Sequence, residues 1–253
     1  MQIDSYYSGG VLSTFMMRIE NTYTNLIHTN EKIQKWVNKV GEDNIDLGIK
    51  RYTMTNYIRE QINQHKGHIT YKYINSELSH LNRLEIDSPF SFSTLLILEN
   101  DNLLHVKGGD LCVRIPTIAR DICTYLHDLD CLWKQYEWLL KHEIGHLIHH
   151  IENSDGISIA EKQEIENDNY EEYKKFDQWS MEYKKSPGYN SDTVNKRYYN
   201  IPGEACANEA IGIDVDDLLL IDHEYKEKFK DKKICVEINI KEIKDYEKDV
   251  EKG

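Results

Sequence analysis

The chain predicts an α+β fold, and three observations carry that expectation. Apolar residues recur with a helical period through 11–40 and again through 132–152. Short stretches rich in β-branched residues alternate with polar ones between 68 and 115, and Gly, Asn and Asp clusters punctuate the two kinds of segment. At 253 residues, 40% hydrophobic and 30% charged, the chain is long enough for one large domain, or one domain with a helical annex.

Taken in order, Val11, Leu12, Phe15, Met16, Ile19, Tyr23, Leu26, Ile27, Ile33 and Trp36 predict one or two amphipathic helices with a break near Thr29 and Asn30. A turn at Gly41-Glu42-Asp43-Asn44 precedes a further helical segment over 52–64. His68 to Ile74 and Ser93 to Leu98 suit strands, the second ending at the turn Glu99 to Asn102. Leu103 to Lys107 and Leu111 to Ile115, separated by Gly108-Gly109-Asp110, read as a hairpin at the edge of the sheet, with Pro116 closing it. A short helix over 117–129 leads into the long one over 132–152. Beyond it, Tyr170, Tyr173, Phe176, Trp179 and Tyr183 recur every three or four residues, predicting a helix that lies on the core with its charges in solvent. Ser186 to Asp192 is turn-rich, Pro202 starts a helix with small alanines, 215–222 continues it or forms another, and 233–240 is a last strand before a charged tail.

Composition excludes several classes of function. A net charge of −13 leaves no concentrated basic surface, so nucleic acid is not an expected partner and a protein or peptide is. No stretch approaches the apolar length needed to cross a bilayer, and MQIDSYY carries an acid and no base at its start, so neither membrane association nor secretion is expected and cytoplasmic residence is. Cys112, Cys123, Cys131, Cys206 and Cys235 are odd in number and form no CxxC pair, which argues against a disulfide framework or a thiolate zinc site. His65, His68 and His80 stand in isolation and receive no metal role.

The chemistry concentrates in His142-Glu143-Ile144-Gly145-His146. On a helix, residues four apart share a face one turn apart, so both imidazoles reach one Zn²⁺ while Glu143 stands beside them as a candidate general base. Leu140, Ile144, Leu147, Ile148 and Ile151 mark the opposite face for burial. HExxH arises by chance in chains of this length, so its setting carries the reading: an uninterrupted amphipathic helix, Gly145 beside the second histidine, and a glutamate-bearing segment downstream. A catalytic zinc takes three protein ligands and leaves one position to water. The motif with a third histidine six residues on fails, since Glu152 stands there and His149 replaces the glycine. Glu204 is the choice for third ligand because it opens a helix whose Ala207 permits close packing on the metal helix, with Asn208 one turn on; Glu209 is the reserve. His149 and His150 are read as groups at the rim.

These two segments, His142-Glu143-Ile144-Gly145-His146 and Glu204-x-x-Ala207-Asn208, resemble the HExGH and ExxAN pair of the ImmA/IrrE family of gluzincin-type metallopeptidases. The resemblance covers under a tenth of the chain. It implies a zincin-like fold, a small mixed sheet with two ligand helices, and zinc-dependent cleavage of specific proteins. The segment between the ligand helices is long here, Glu209-Ala210-Ile211 departs from the family's pattern, and no helix-turn-helix companion is read. Residues 1–66 then form a helical scaffold packed on the core, and 67–253 the metallopeptidase domain with a charged helical insertion at about 152–200.

On this reading a single zinc ion is held by His142, His146 and Glu204, and Glu143 takes a proton from water and returns it to the leaving amine. Tyr198, Tyr199, Arg197, Tyr189 and His150 are the candidates to stabilise the oxyanion, with Tyr199 favoured. In such peptidases an edge strand aligns the extended substrate by main-chain pairing. The rival readings are a non-catalytic module in which zinc ties two helices together with four protein ligands, and a metal-free helical protein. Oligomeric state and substrate are left open.

Overall fold

The computed structural model describes residues 11–52, 88–125 and 128–229. Readings made for 53–64, 68–74 and 233–253 lie outside the described residues, as do His65, His68 and His80.

The chain enters through α1 (Val11–Thr29) and α2 (Glu31–Val40). The expected break falls at Asn30, whose backbone leaves the helical path and whose side chain accepts the backbone N–H groups of Lys32 and Ile33, supplying the donors at the start of α2 with an acceptor. Gly41, at φ 90°, ends α2 and opens the 3₁₀ turn Glu42–Asn44. The apolar faces of both helices are buried: Leu12, Phe15, Met16, Ile19, Tyr23 and Ile27 from α1, Ile33 and Trp36 from α2.

Three strands follow among the described residues: β1 (Asp46–Tyr52), β2 (Phe90–Leu98) and β3 (Leu104–Arg114). They make a small mixed sheet of order β1-β3-β2, with β1 parallel and β2 antiparallel to the central strand. Two expectations are corrected here. First, 103–115 is no hairpin at the edge but one continuous strand in the centre. Gly108 and Gly109 read as a turn because glycine punctuates turns, yet here they serve close backbone approach. A Cβ on Gly108 would meet the Asp46 carbonyl oxygen at 1.8 Å, and one on Gly109 the Ser93 oxygen at 2.4 Å. The register slips between Leu95 and Leu96, a bulge that Gly108 at φ 133° accommodates. Second, Pro116 closes no edge strand. It sits in the first turn of α3 (Ile115–Thr124), where a missing N–H costs nothing. The turn after β2 is as expected, with Asn102 in the left-handed region at φ 64°.

Helix α4 (Leu129–Asn153) crosses the molecule and carries the HExxH segment. Asp128 caps it by accepting the Cys131 N–H. Leu140, Ile144, Leu147 and Ile148 are fully buried, each contributing roughly 1.5–3 kcal/mol, and they join α1, α2, α3 and the sheet in one core. The far end of α4 is pinned by Asp155, which accepts the Val106 N–H at 3.2 Å and pairs with Lys39 at 3.1 Å and His105 at 3.3 Å. Beyond it run α5 (Ile159–Tyr183), α6 (Ser191–Tyr198), α7 (Pro202–Ile211) and α8 (Val215–Phe229). Helix α5 starts with a capping box between Ser158 and Glu161 and buries none of its residues completely. Helix α7 begins on Pro202 and ends on Gly212 at φ 70°, the usual asymmetry of helix ends. No helix among the described residues is long and apolar enough to cross a membrane.

Candidate metal centre

Two helices converge to make the site. On α4, the i, i+4 spacing brings the His142 and His146 rings edge to face with centroids 4.8 Å apart. On α7, Glu204 lies in the first turn, where the helix dipole favours a carboxylate. The helices touch at Gly145, where the backbone of Ala207 occupies the space a side chain would need: an added Cβ would stand 2.0 Å from the Ala207 oxygen. Glycine on one helix and alanine on the other bring Glu204 over the two imidazoles.

One carboxylate oxygen, Glu204 Oε2, lies 2.8 Å from His142 Nε2 and 3.5 Å from His146 Nε2. The three donor atoms fall within 4.8 Å of one another, close enough to hold a metal ion. His142 and Glu204 are buried, at 2% and 4% exposure, while His146 keeps its side chain 22% exposed, so the cluster is open on the His146 side. Among the described residues this is the one cluster of its kind, and Glu209, the reserve, is exposed.

The partners around these donors suit a metal. His142 Nδ1 donates to the Asn208 side-chain oxygen at 2.7 Å, which orients the ring so that Nε2 faces Glu204. Trp138 stacks on the His142 ring at 5.6 Å and 9°, holding its plane. Glu204 Oε1 accepts the hydroxyls of Tyr173 and, at 2.9 Å, of Tyr198. Burial works against an ionised Glu204, but hydrogen bonds with His142 and His146 hold its carboxyl well below the usual range. Burial works against a charged His142 as well, but the Glu204 hydrogen bond, the nearby Glu143 and Glu204 charges and the Asn208 hydrogen bond together outweigh it, raising the imidazole. Two imidazoles and a carboxylate that attract a shared positive charge make a donor set able to hold a metal ion.

Glu143 is 5% exposed and lies near both imidazoles and Glu204, and the Phe92 backbone N–H of β2 donates to it. The strand beside the site is therefore β2, not the 103–115 segment that the sequence suggested. Burial drives the Glu143 carboxyl upward, opposed by both imidazoles, and a raised carboxyl is suited to accepting and returning a proton.

Of the five oxyanion candidates, four are engaged elsewhere or remote. Tyr198 is spent on Glu204. Arg197 lies over the Trp179 ring at 4.1 Å. Tyr189 is exposed and packs on Tyr183. His150 bonds Ser154 at 3.0 Å. Tyr199 packs edge-on against His142 at 5.1 Å and Trp138 at 5.0 Å, near enough to Glu143 and Glu204 that burial and both carboxylates push its phenol upward. Tyr173 is the residue sequence reasoning missed. It belongs to the aromatic stripe of the charged helix, whose period signals only a packed face.

His149 and His150 hold no donor position in the cluster. Burial, with Lys162, His149 and His146 adding repulsion, pushes His150 down to about 3. An unfolded histidine titrates near 6.5, so between these values the unfolded chain binds a proton that the folded chain refuses, and stability falls as pH drops through that window. His150→Gln is expected to flatten this stretch, which urea midpoints compared at about pH 7 and about pH 4.5 will read. An unchanged dependence on pH would show that His150 is not the titrating group.

No protein-family model, no curated protein and no solved structure significantly matches this chain.

Proposed function

We propose that the chain is a zinc-dependent endopeptidase of zincin-like architecture, related in its site to the ImmA/IrrE type, with protein or peptide substrates. The observation that carries this reading is the convergence of His142, His146 and Glu204 with a buried carboxylate, Glu143, next to them and outside the donor cluster. A merely structural zinc would close its sphere with a fourth ligand. Among the described residues no fourth donor joins the three, which favours the enzyme over the binding module.

Zinc held there would supply Lewis acidity to a water and to the scissile carbonyl. The chain's own residues do the rest. Glu143 accepts the water proton and returns it to the leaving amine. Tyr199, whose hydroxyl has no hydrogen-bond partner among the described residues, donates to the developing oxyanion. Strand β2, antiparallel to β3 and packed against α4, lines up an extended substrate.

The test is cleavage of an unstructured polypeptide by the zinc-loaded protein, with chelator as the control. Tyr199→Phe is expected to lower kcat by about 10²–10³-fold with zinc content unchanged. Wild-type activity in that variant would remove Tyr199 from the mechanism, and absence of chelator-sensitive cleavage would overturn the peptidase reading.

A further inference from the structure

We infer that Tyr173 and Tyr198 form a clamp that holds Glu204 to single-oxygen coordination, which makes the charged helix α5 a wall of the metal centre. This rests on the metal-binding role assigned to Glu204 above.

The lone pairs of Glu204 decide which oxygen can reach an ion. An ionised carboxylate oxygen offers two acceptor directions, and both on Glu204 Oε1 are taken, by the Tyr173 hydroxyl and by the Tyr198 hydroxyl at 2.9 Å. The other oxygen, Oε2, is the one facing His142 Nε2 and His146 Nε2, at 2.8 and 3.5 Å. For Oε1 to turn onto the same ion, two phenols would lose a charged acceptor where the Glu204 side chain is only 6% exposed, with little water to replace it.

The clamp draws on separate elements. Tyr173 arrives from α5 and Tyr198 from the end of α6, while Glu204 belongs to α7. Aromatic packing sets the phenols: Tyr198 meets Phe176 at 5.6 Å and Tyr173 at 6.3 Å, and Arg197 over Trp179 at 4.1 Å ties the same faces together. A helix with no fully buried residue thus reaches the site through one hydroxyl. The chemical consequence is an open coordination position. Two imidazoles and one oxygen leave a fourth direction for water and substrate, which a second carboxylate oxygen would crowd. Tyr173 and Tyr198 are positioning residues: they act through Glu204.

The experiment uses the full chain with Tyr173→Phe, Tyr198→Phe and the double change, loaded with zinc or Co²⁺. Zinc affinity is read by competition with a chromophoric chelator, cobalt coordination by visible absorption, and folding of the metal-free proteins by circular dichroism. Each single variant is expected to lose about 10–100-fold in zinc affinity. The double variant is expected also to lose the intense cobalt bands of a four-coordinate site, as Oε1 joins the ion. Wild-type affinity in both single variants overturns the clamp. Lost affinity with an unchanged cobalt spectrum in the double variant overturns single-oxygen control. Should the double variant not fold, the cobalt spectra of the single variants decide the same point. If wild type binds zinc no better than His142→Ala, the metal reading itself fails, and that result is distinct from a failed clamp on a working metal site.

Discussion

Glu143→Gln is expected to lower the rate of peptide hydrolysis by about 10²–10⁴-fold while leaving zinc bound. The substitution is nearly isosteric, and its amide oxygen can still accept the Phe92 backbone N–H that the carboxylate accepts now. The side chain therefore keeps its place against β2. What it loses is the capacity to hold a proton between its removal from water and its delivery to the amine. Because Glu143 stands outside the donor cluster of His142, His146 and Glu204, metal content is expected to match wild type. Cleavage of an unstructured polypeptide and metal analysis on the same preparations make the comparison. Full activity in the variant would show that Glu143 is not the base, and zinc lost together with activity would show that it helps to hold the ion.

Gly145→Ala is expected to destabilise the protein and weaken zinc binding, against what helix propensity alone would give. In a solvated helix this change stabilises by about 1 kcal/mol. Here the new Cβ would stand 2.0 Å from the Ala207 oxygen and 2.7 Å from its carbon, atoms of a backbone that cannot turn aside. Helix α7 must move, and overpacking of this kind costs about 1–3 kcal/mol. Glu204 sits on the same face of α7 one turn earlier, so the displacement carries the carboxylate away from the imidazoles. A lower melting temperature in the metal-free protein and a weaker zinc affinity are the two readouts. A more stable Gly145→Ala protein with undiminished affinity would mean that the helices do not meet at this point.

The site was legible in the sequence wherever chemistry is encoded by spacing along one helix. His142, Glu143 and His146 needed only the helical period, and Glu204 needed the small Ala207 three residues on. The N-terminal helices and their break at Asn30 were equally plain, because apolar period and a capping side chain are local signals. The strands were less so. β1, with Gly48 and the adjacent charges Lys50 and Arg51, lacks the sustained alternation that marks a strand, and its pairing with β3 joins residues far apart in the chain. The Gly108-Gly109 pair signalled a turn, since glycine marks a turn and a close backbone approach in the same way. Only the sheet distinguishes the two.

The sequence by itself determined the α+β class, the helix that carries both histidines, and the residue types able to bind a metal. Tertiary structure decided that β2 is the strand beside Glu143, that Glu209 faces solvent, and that the phenols of Tyr173 and Tyr198 meet on one oxygen of Glu204. The physical reason is range: a helix repeats every few residues and writes its faces into the local pattern, whereas contacts between separate elements depend on packing, which no short window of sequence records.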